Sequence, residues 1–415
     1  MPRNLHVLPH FWRSVLSVMS GTALAQLIPI LGSLIIAREY APSQFGEFSA
    51  WLGVVTIAAV MATGRFETSF AIVADDEPRR IAVVCTIVTL FLAVIVLAAL
   101  SAIASLLGPS WLTAKGSLLF ALFIPAVLFG ATAQIWQMWA ATAGRYRQLS
   151  TIRIGQAVSV VFAQIAAGAL FPSAGALASA YTIGSFVSLG ICFYLLPLGR
   201  WPADIVKLVW LFWKRYVRFP LYSLPADAIN TLAGQLPILV VANRFGPEIT
   251  GLLALTMRTL GGPISLLGNS VLDVFKRQAA TTYRERGECR SEYVQTFLFL
   301  ASLSIVMSIA LLFTSRALFA VAFGERWRFA GTVAIWLLPM FALRFVASPL
   351  SYMVYVVEKQ HMDLIWQMCL LVMTVLSLNL PLGYPAVLQS YSLGYALMYV
   401  VYLAMSYRFS VGDKR

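Results

Sequence analysis

The chain has 415 residues, 60% of them hydrophobic and only 11% charged, with a net charge of +13 and a mean hydropathy of +0.81. Globular domains carry about 25% charged residues, so a water-soluble fold of this size could not hide its apolar surface. The apolar residues come in successive runs of about 20, long enough to cross a hydrocarbon core of about 30 Å, and in that solvent such runs must be helices.

The first run follows the basic segment 1–13 and continues past Ile36, without the short apolar region and cleavage site of a signal peptide, so it is expected to remain as the first span. Spans are predicted at 14–36, 46–74, 81–106, 117–143, 152–171 and 175–198, and then at 219–242, 249–272, 293–314, 331–357, 363–380 and 386–407. The predicted fold class is therefore an all-α polytopic integral membrane protein of about twelve transmembrane helices. With the N-terminus inside, the cytoplasmic segments hold 21 of the 30 basic residues and the outer loops 6, while Arg65, Arg258 and Arg344 lie within spans. That bias places both termini in the cytoplasm and reads the net charge as topology rather than nucleic-acid binding. The clusters Lys214/Arg215/Arg218 and Lys276/Arg277 would face anionic headgroups of the membrane lipids. Trp12, Trp51, Trp111, Trp201, Trp213 and Trp327 fall near span ends, as an interfacial belt requires.

The halves repeat. Thr22-x-x-x-Gln26-Leu27-Ile28-Pro29-Ile30-Leu31 matches Thr231-x-x-x-Gln235-Leu236-Pro237-Ile238-Leu239 with one residue deleted. Arg38-Glu39-Tyr40-Ala41-Pro42 before Gly46 parallels Arg244-Phe245-Gly246-Pro247 before Gly251. An even number of spans separates the copies, so the repeat is parallel. Two six-helix bundles are expected, an N-terminal lobe at 1–198 and a C-terminal lobe at 219–415, joined by a basic cytoplasmic linker at 199–218.

An ionisable group at membrane depth costs at least about 2.5–3.5 kcal/mol and should face a cavity or a partner. Arg65, Glu67, Asp227, Arg258 and Arg344 are such groups. Helical spacing aligns Arg258 with Gly262, Ser265 and Asn269, Arg344 with Ser348, Ser351 and Tyr355, and Asp227 with Asn230 and Gly234. Thr22, Gln26, Pro29 and Ser33 form a similar stripe in the first span. The arginines are candidate substrate-binding groups, since a guanidinium holds phosphate oxygens bidentately and keeps its charge. Each also has a structural alternative: pairing with Glu67 for Arg65, carbonyl bonding or a partner on another helix for Arg258, and carbonyls freed by Pro339 and Pro349 for Arg344. Asp227 and Glu67 are candidate counter-ions or coupling sites. Thr22, Gln26, Asn230, Gln235 and Asn269 are candidate cavity-lining residues, with Gln26 and Gln235 equally suited to bonding between helices. The four cysteines and three histidines show no metal spacing, and no Walker motif appears, so neither metal, cofactor nor ATP is expected.

Ser20-Gly21-Thr22 with Ala25-Gln26, Arg38-x-Tyr40-x-Pro42, Phe45-Gly46 and Arg65-Phe66-Glu67 resemble the N-terminal half of Wzx-type polysaccharide flippases of the MOP transporter superfamily. Phe219-Pro220, Leu224-Pro225, Gln235-Leu236-Pro237, Phe323-Gly324-x-x-Trp327-x-x-Ala330-Gly331 and Ser348-Pro349-Leu350-Ser351 extend the resemblance to the second half. It implies paired six-helix lobes, alternating access, and a polyprenyl-pyrophosphate-linked oligosaccharide moved from the cytoplasmic to the periplasmic leaflet of a bacterial inner membrane. Cell-surface polysaccharide such as O-antigen or exopolysaccharide would be the product, with a polymerase and chain-length machinery as partners. The superfamily's lipid II flippases use arginines in the second and eighth spans, where Arg65 and Arg258 fall. A multidrug or metabolite antiporter of the same superfamily is the nearest alternative, though it would favour acidic sites. A membrane-embedded polymerase or acyltransferase is a further one, which usually needs a large outer loop or an intramembrane histidine.

Overall fold

The structure, a computed structural model, describes residues 7–74, 77–107, 117–199 and 204–412; within these, the side chains of 7–22, 104–107 and 117 are not described. Thr22, Trp12, Trp111 and Trp201 thus lie outside the described side chains. The described residues form helices and no strand. In chain order these are α1 (Val7–Glu39), α2 (Pro42–Ala62), a 3-10 helix (Phe66–Ala71), α3 (Glu77–Leu107), α4 (Ser117–Thr142), α5 (Tyr146–Leu170), α6 (Ala174–Leu195) and α7 (Ile205–Tyr216). A single π-helical turn (Phe219–Ser223) leads into α8 (Leu224–Arg286), followed by α9 (Arg290–Phe323), a 3-10 turn (Glu325–Trp327), α10 (Arg328–Leu350), α11 (Met353–Val356), α12 (Gln360–Leu378) and α13 (Tyr384–Ser410).

Ten helical stretches among the described residues are long and apolar enough to span a membrane. One of them contains α8, which Gly246 divides. Its backbone, at φ 83° and ψ 177°, is open only to glycine, and Pro247 follows it. Counting α8 as two and adding α1 brings the crossings to twelve. The expected second span, 46–74, is interrupted: α2 stops at Ala62, Gly64 and Arg65 both take φ near 58°, and a 3-10 helix completes the segment. The physical cause is Gly64, which enters the left-handed region without a Cβ penalty and ends the α-helical ladder. Pro349 and the turn at Ser351 likewise divide the expected span 331–357 into α10 and α11.

The chain forms two compact units, residues 1–235 and 236–415. In the first, α5 packs against α1 and α6. A Cβ on Gly184 would stand 2.6 Å from the Val160 Cα, so the α5 and α6 backbones nearly touch, the close approach that small residues permit between membrane helices. Buried aliphatic residues of α2, α3 and α4, with Trp136, form its core. The helix α7 lies within the expected linker; it buries Val209 and Phe212, and Trp213 Nε1 donates to Thr89 Oγ1 of α3 at 2.7 Å. In the second unit α10 is flanked by α9 and α13, and Gly331 does for α9 and α10 what Gly184 does in the first.

Corresponding corners are anchored alike. After α1, the Tyr40 hydroxyl donates to the Gln164 carbonyl of α5 at 2.9 Å, and Gln44 Nε2 donates to the Pro172 carbonyl just beyond that helix at 2.7 Å. At the kink of α8, the Arg244 guanidinium donates to the Leu378 and Leu380 carbonyls at the end of α12. In both units, therefore, the corner after the first span docks on the end of the fifth.

Candidate functional site

The most elaborate polar constellation in the first unit is built around the break after α2. Arg65 Nη1 donates to Glu67 Oε1 at 3.1 Å, and its Nε lies 2.6 Å from Asp227 Oδ2 in the first turn of α8. The Arg65 amide donates to Thr63 Oγ1, and its carbonyl accepts from the Thr68 hydroxyl at 2.6 Å, which fixes the left-handed turn on both sides. Glu67 is buried, whereas the Asp227 side chain is 36% exposed. One guanidinium is thus shared by two carboxylates in different surroundings, and in this state Arg65 presents no empty fork to a phosphate.

A second arginine of this unit gave no signal beyond its place next to a span. Arg79, at the start of α3, is buried and donates to the carbonyls of Phe70, Val73 and Thr142 at 3.1, 3.2 and 3.0 Å. Its charge sits at the C-terminal end of α4, where the helix dipole favours a cation. It ties the 3-10 helix, and with it Arg65 and Glu67, to the bundle. The pattern that could have identified it is a basic residue opposite a helix end, which sequence spacing alone does not reveal.

Asn230 is exposed on the first part of α8 and Gln235 is half-buried, with the Thr231 hydroxyl bonded to the Asp227 carbonyl at 2.7 Å. In the first span, Gln26 is exposed and Ser33 buried.

In the second unit, Arg258 is half-buried on the later part of α8, as is Gly262, while Ser265 and Asn269 are exposed. Beside it, Thr256 is buried and bonds both to Leu252 and across to the Ala330 carbonyl of α10, at 2.8 and 3.1 Å. Arg344 is exposed on α10 together with Ser348, while Phe345, Val346, Ala347 and Pro349 around them are buried. On α13, Tyr391, Tyr395 and Tyr399 form a ladder along one face, with successive rings 5.4 Å apart. That ladder continues through Trp366 of α12, 5.5 Å from Tyr399, and was not singled out in the sequence because the tyrosines fall in an otherwise apolar run. Arg65 and Asp227 are therefore brought together within one unit, while Arg258 and Arg344 lie on separate helices of the other.

The sequence profile of a family described as polysaccharide biosynthesis protein matches residues 35–331. No curated protein sequence gives a match. Among solved structures, the chain is similar in fold to the lipid II flippase MurJ in an inward closed conformation, with a TM-score of 0.74 and 14% identity over 94% of this chain and 87% of that one. It is also similar to an inward-facing multidrug resistance MATE transporter of the MOP superfamily (TM-score 0.61, 15% identity, 93% and 94% covered). The MATE multidrug transporter DinF-BH is a third (TM-score 0.59, 16% identity, 95% and 94% covered). The fold is the one these transporters share, in agreement with the resemblance to MOP flippases read from the motifs. On the match to most of its length, the chain belongs to the polysaccharide biosynthesis protein family.

Proposed function

We propose that the protein moves a polyprenyl-pyrophosphate-linked oligosaccharide from the cytoplasmic to the periplasmic leaflet of the inner membrane, by alternating access of an N-terminal and a C-terminal lobe. Arg258, Arg344 and, once released from Asp227, Arg65 are the groups that meet the pyrophosphate. The observation that carries the reading is Arg344, an exposed guanidinium within the membrane-spanning stretch Glu325–Val356 of a chain from this family. Such a charge persists at depth only where water or an anion offsets its cost. Membrane potential would favour export, because each negative charge moved outward gains about 2.3 kcal/mol per 100 mV.

The fold shared with MATE transporters and the carboxylate pair Glu67 and Asp227 favour one rival, cation-coupled efflux of a small molecule. Glycan export in a flippase-null strain, normalised to the amount of protein in the membrane, separates the two. The wild-type chain should restore export, Arg258→Lys should retain part of it, and Arg258→Ala and Arg344→Ala very little, because an ammonium supplies charge without the planar fork. Drug efflux without glycan export would replace this reading by the antiporter one.

A further inference from the structure

The second unit carries a long apolar furrow that the reading above leaves unused. A cavity of about 800 Å³ lies between α9, α10 and α13, and one of about 360 Å³ between α8, α9 and α10. They share Ser304, Ser308 and Ala342, so one lining continues into the other. Along α9 the lining runs from Tyr293 to Phe319, about 39 Å at a helical rise of about 1.5 Å per residue. Polar groups are few, and the Ser304 hydroxyl is turned away to the Ala342 carbonyl at 3.0 Å.

The exposed Arg316 stands near Thr314 and Leu318 at one end, and at the other a cation lies over paired aromatic rings beside a second, basic cavity. There Tyr293 and Tyr407 meet at 5.8 Å, and the exposed Arg290 lies over the Tyr407 ring at 5.9 Å. A neighbouring cavity of about 640 Å³, lined by Lys359, His361 and Arg408 among others, shares Ala404 with the furrow at this end. The arrangement fits an amphiphile with an anionic head and one long apolar chain. An acyl chain anchored in one leaflet reaches about half of the roughly 30 Å hydrocarbon core, and the furrow is longer than the whole core. An isoprenoid chain matches that length.

We propose that this furrow holds the polyisoprenoid tail of an anionic lipid carrier, whose phosphate lies at the Arg290 end. The inference rests on the lipid-linked reading for the identity of the chain. A furrow of full membrane thickness lets the tail slide and reverse along one surface while its head crosses.

The test uses the whole protein in phosphatidylcholine nanodiscs, with a long-chain polyprenyl phosphate bearing a terminal diazirine and no glycan. Photolabelling should fall on peptides of α9 and α13 and be displaced by unlabelled polyprenyl phosphate but not by excess phosphatidylglycerol. Ala301→Phe combined with Ser308→Phe should cut labelling roughly fivefold, equivalent to about 1 kcal/mol of binding, whereas Ser302→Phe, exposed and outside the furrow, should not. Arg290→Glu should weaken the phosphate probe and spare neutral polyprenol. Equal displacement by phosphatidylglycerol would make the occupant an annular lipid and overturn the proposal, as would undiminished labelling of the double variant. Restored glycan export without furrow labelling sinks this inference alone; labelling without export sinks the flippase reading and leaves the tail site standing.

Discussion

Arg65 combines two unfavourable features that its partners offset. A non-glycine residue held in the left-handed region costs about 1–3 kcal/mol, and a guanidinium in a membrane bundle adds its desolvation. Glu67 and Asp227 answer the charge unequally, since the first is buried and the second is more than a third exposed. Removing one member of a buried pair costs about 3–5 kcal/mol, while an exposed partner is screened and contributes far less. Glu67→Gln is therefore expected to lower the amount of protein in the membrane. Asp227→Asn should leave abundance near the wild-type level and lower export, because it alters the group from which Arg65 must part to reach a phosphate. Immunoblots of membranes beside export assays read both quantities, and an equal loss of protein in the Asp227 variant would make that residue structural. These charges were legible in the sequence as ionisable groups inside apolar runs. Their pairing was not, because Asp227 reaches Arg65 only through the π-turn and the packing of α7, which no local spacing encodes.

At the scale of elements, hydrophobic run length located the spans, but their internal breaks share the composition of the runs. Thr63-Gly64-Arg65 turns within a stretch that reads as one helix, and α8 continues well past the expected end of its span at 272 because polar residues such as Lys276 and Arg277 propagate a helix once it is nucleated. Close helix approach is equally silent in sequence until a particular glycine is placed. At Gly331 a Cβ would stand 2.6 Å from both Arg316 Cα and the Ser315 carbonyl oxygen, and these are backbone atoms that cannot rotate aside. The Ser315 hydroxyl also donates to the Gly331 carbonyl at 3.0 Å, so separating α9 from α10 would break that bond as well. Gly331→Ala is expected to cost about 1–3 kcal/mol by overpacking and to lower the thermal midpoint of the detergent-solubilised protein. Gly190→Ala, on α6 with open space around its Cβ, should be neutral or gain about 0.5–1 kcal/mol from helix propensity. A Gly331 variant as stable as the wild type would show that α9 and α10 can part without loss.

For the whole molecule, orientation in the membrane rests on charge, and the fold sharpens the expectation. Twelve crossings, an even number, would put both ends of the chain on one side. Basic residues held back from translocation select the side that carries Arg79, Arg145, Arg147 and the α7 region. The geometry of α7 agrees with an interfacial position. One face buries Val209 and Phe212 on the first unit, while Val206, Trp210 and Leu211 are exposed beside Lys207, Lys214 and Arg215, so apolar residues can enter the headgroup boundary with the cations level with lipid phosphates. Arg316, Arg326 and Arg328 lie at the opposite end of α9, and Arg328 is paired with Glu325 at 2.8 Å, which offsets part of that cluster's charge. Fusions of a cytoplasm-active and a periplasm-active reporter after Leu208 and after Arg415 should both report the cytoplasm, and a fusion at Glu325 the periplasm. Replacing Lys207, Lys214 and Arg215 together by Glu should lower association with anionic vesicles and the yield of correctly oriented protein. Periplasmic activity at Leu208 and Arg415 would invert the molecule. The direction of transport proposed here would then have to be inverted with it.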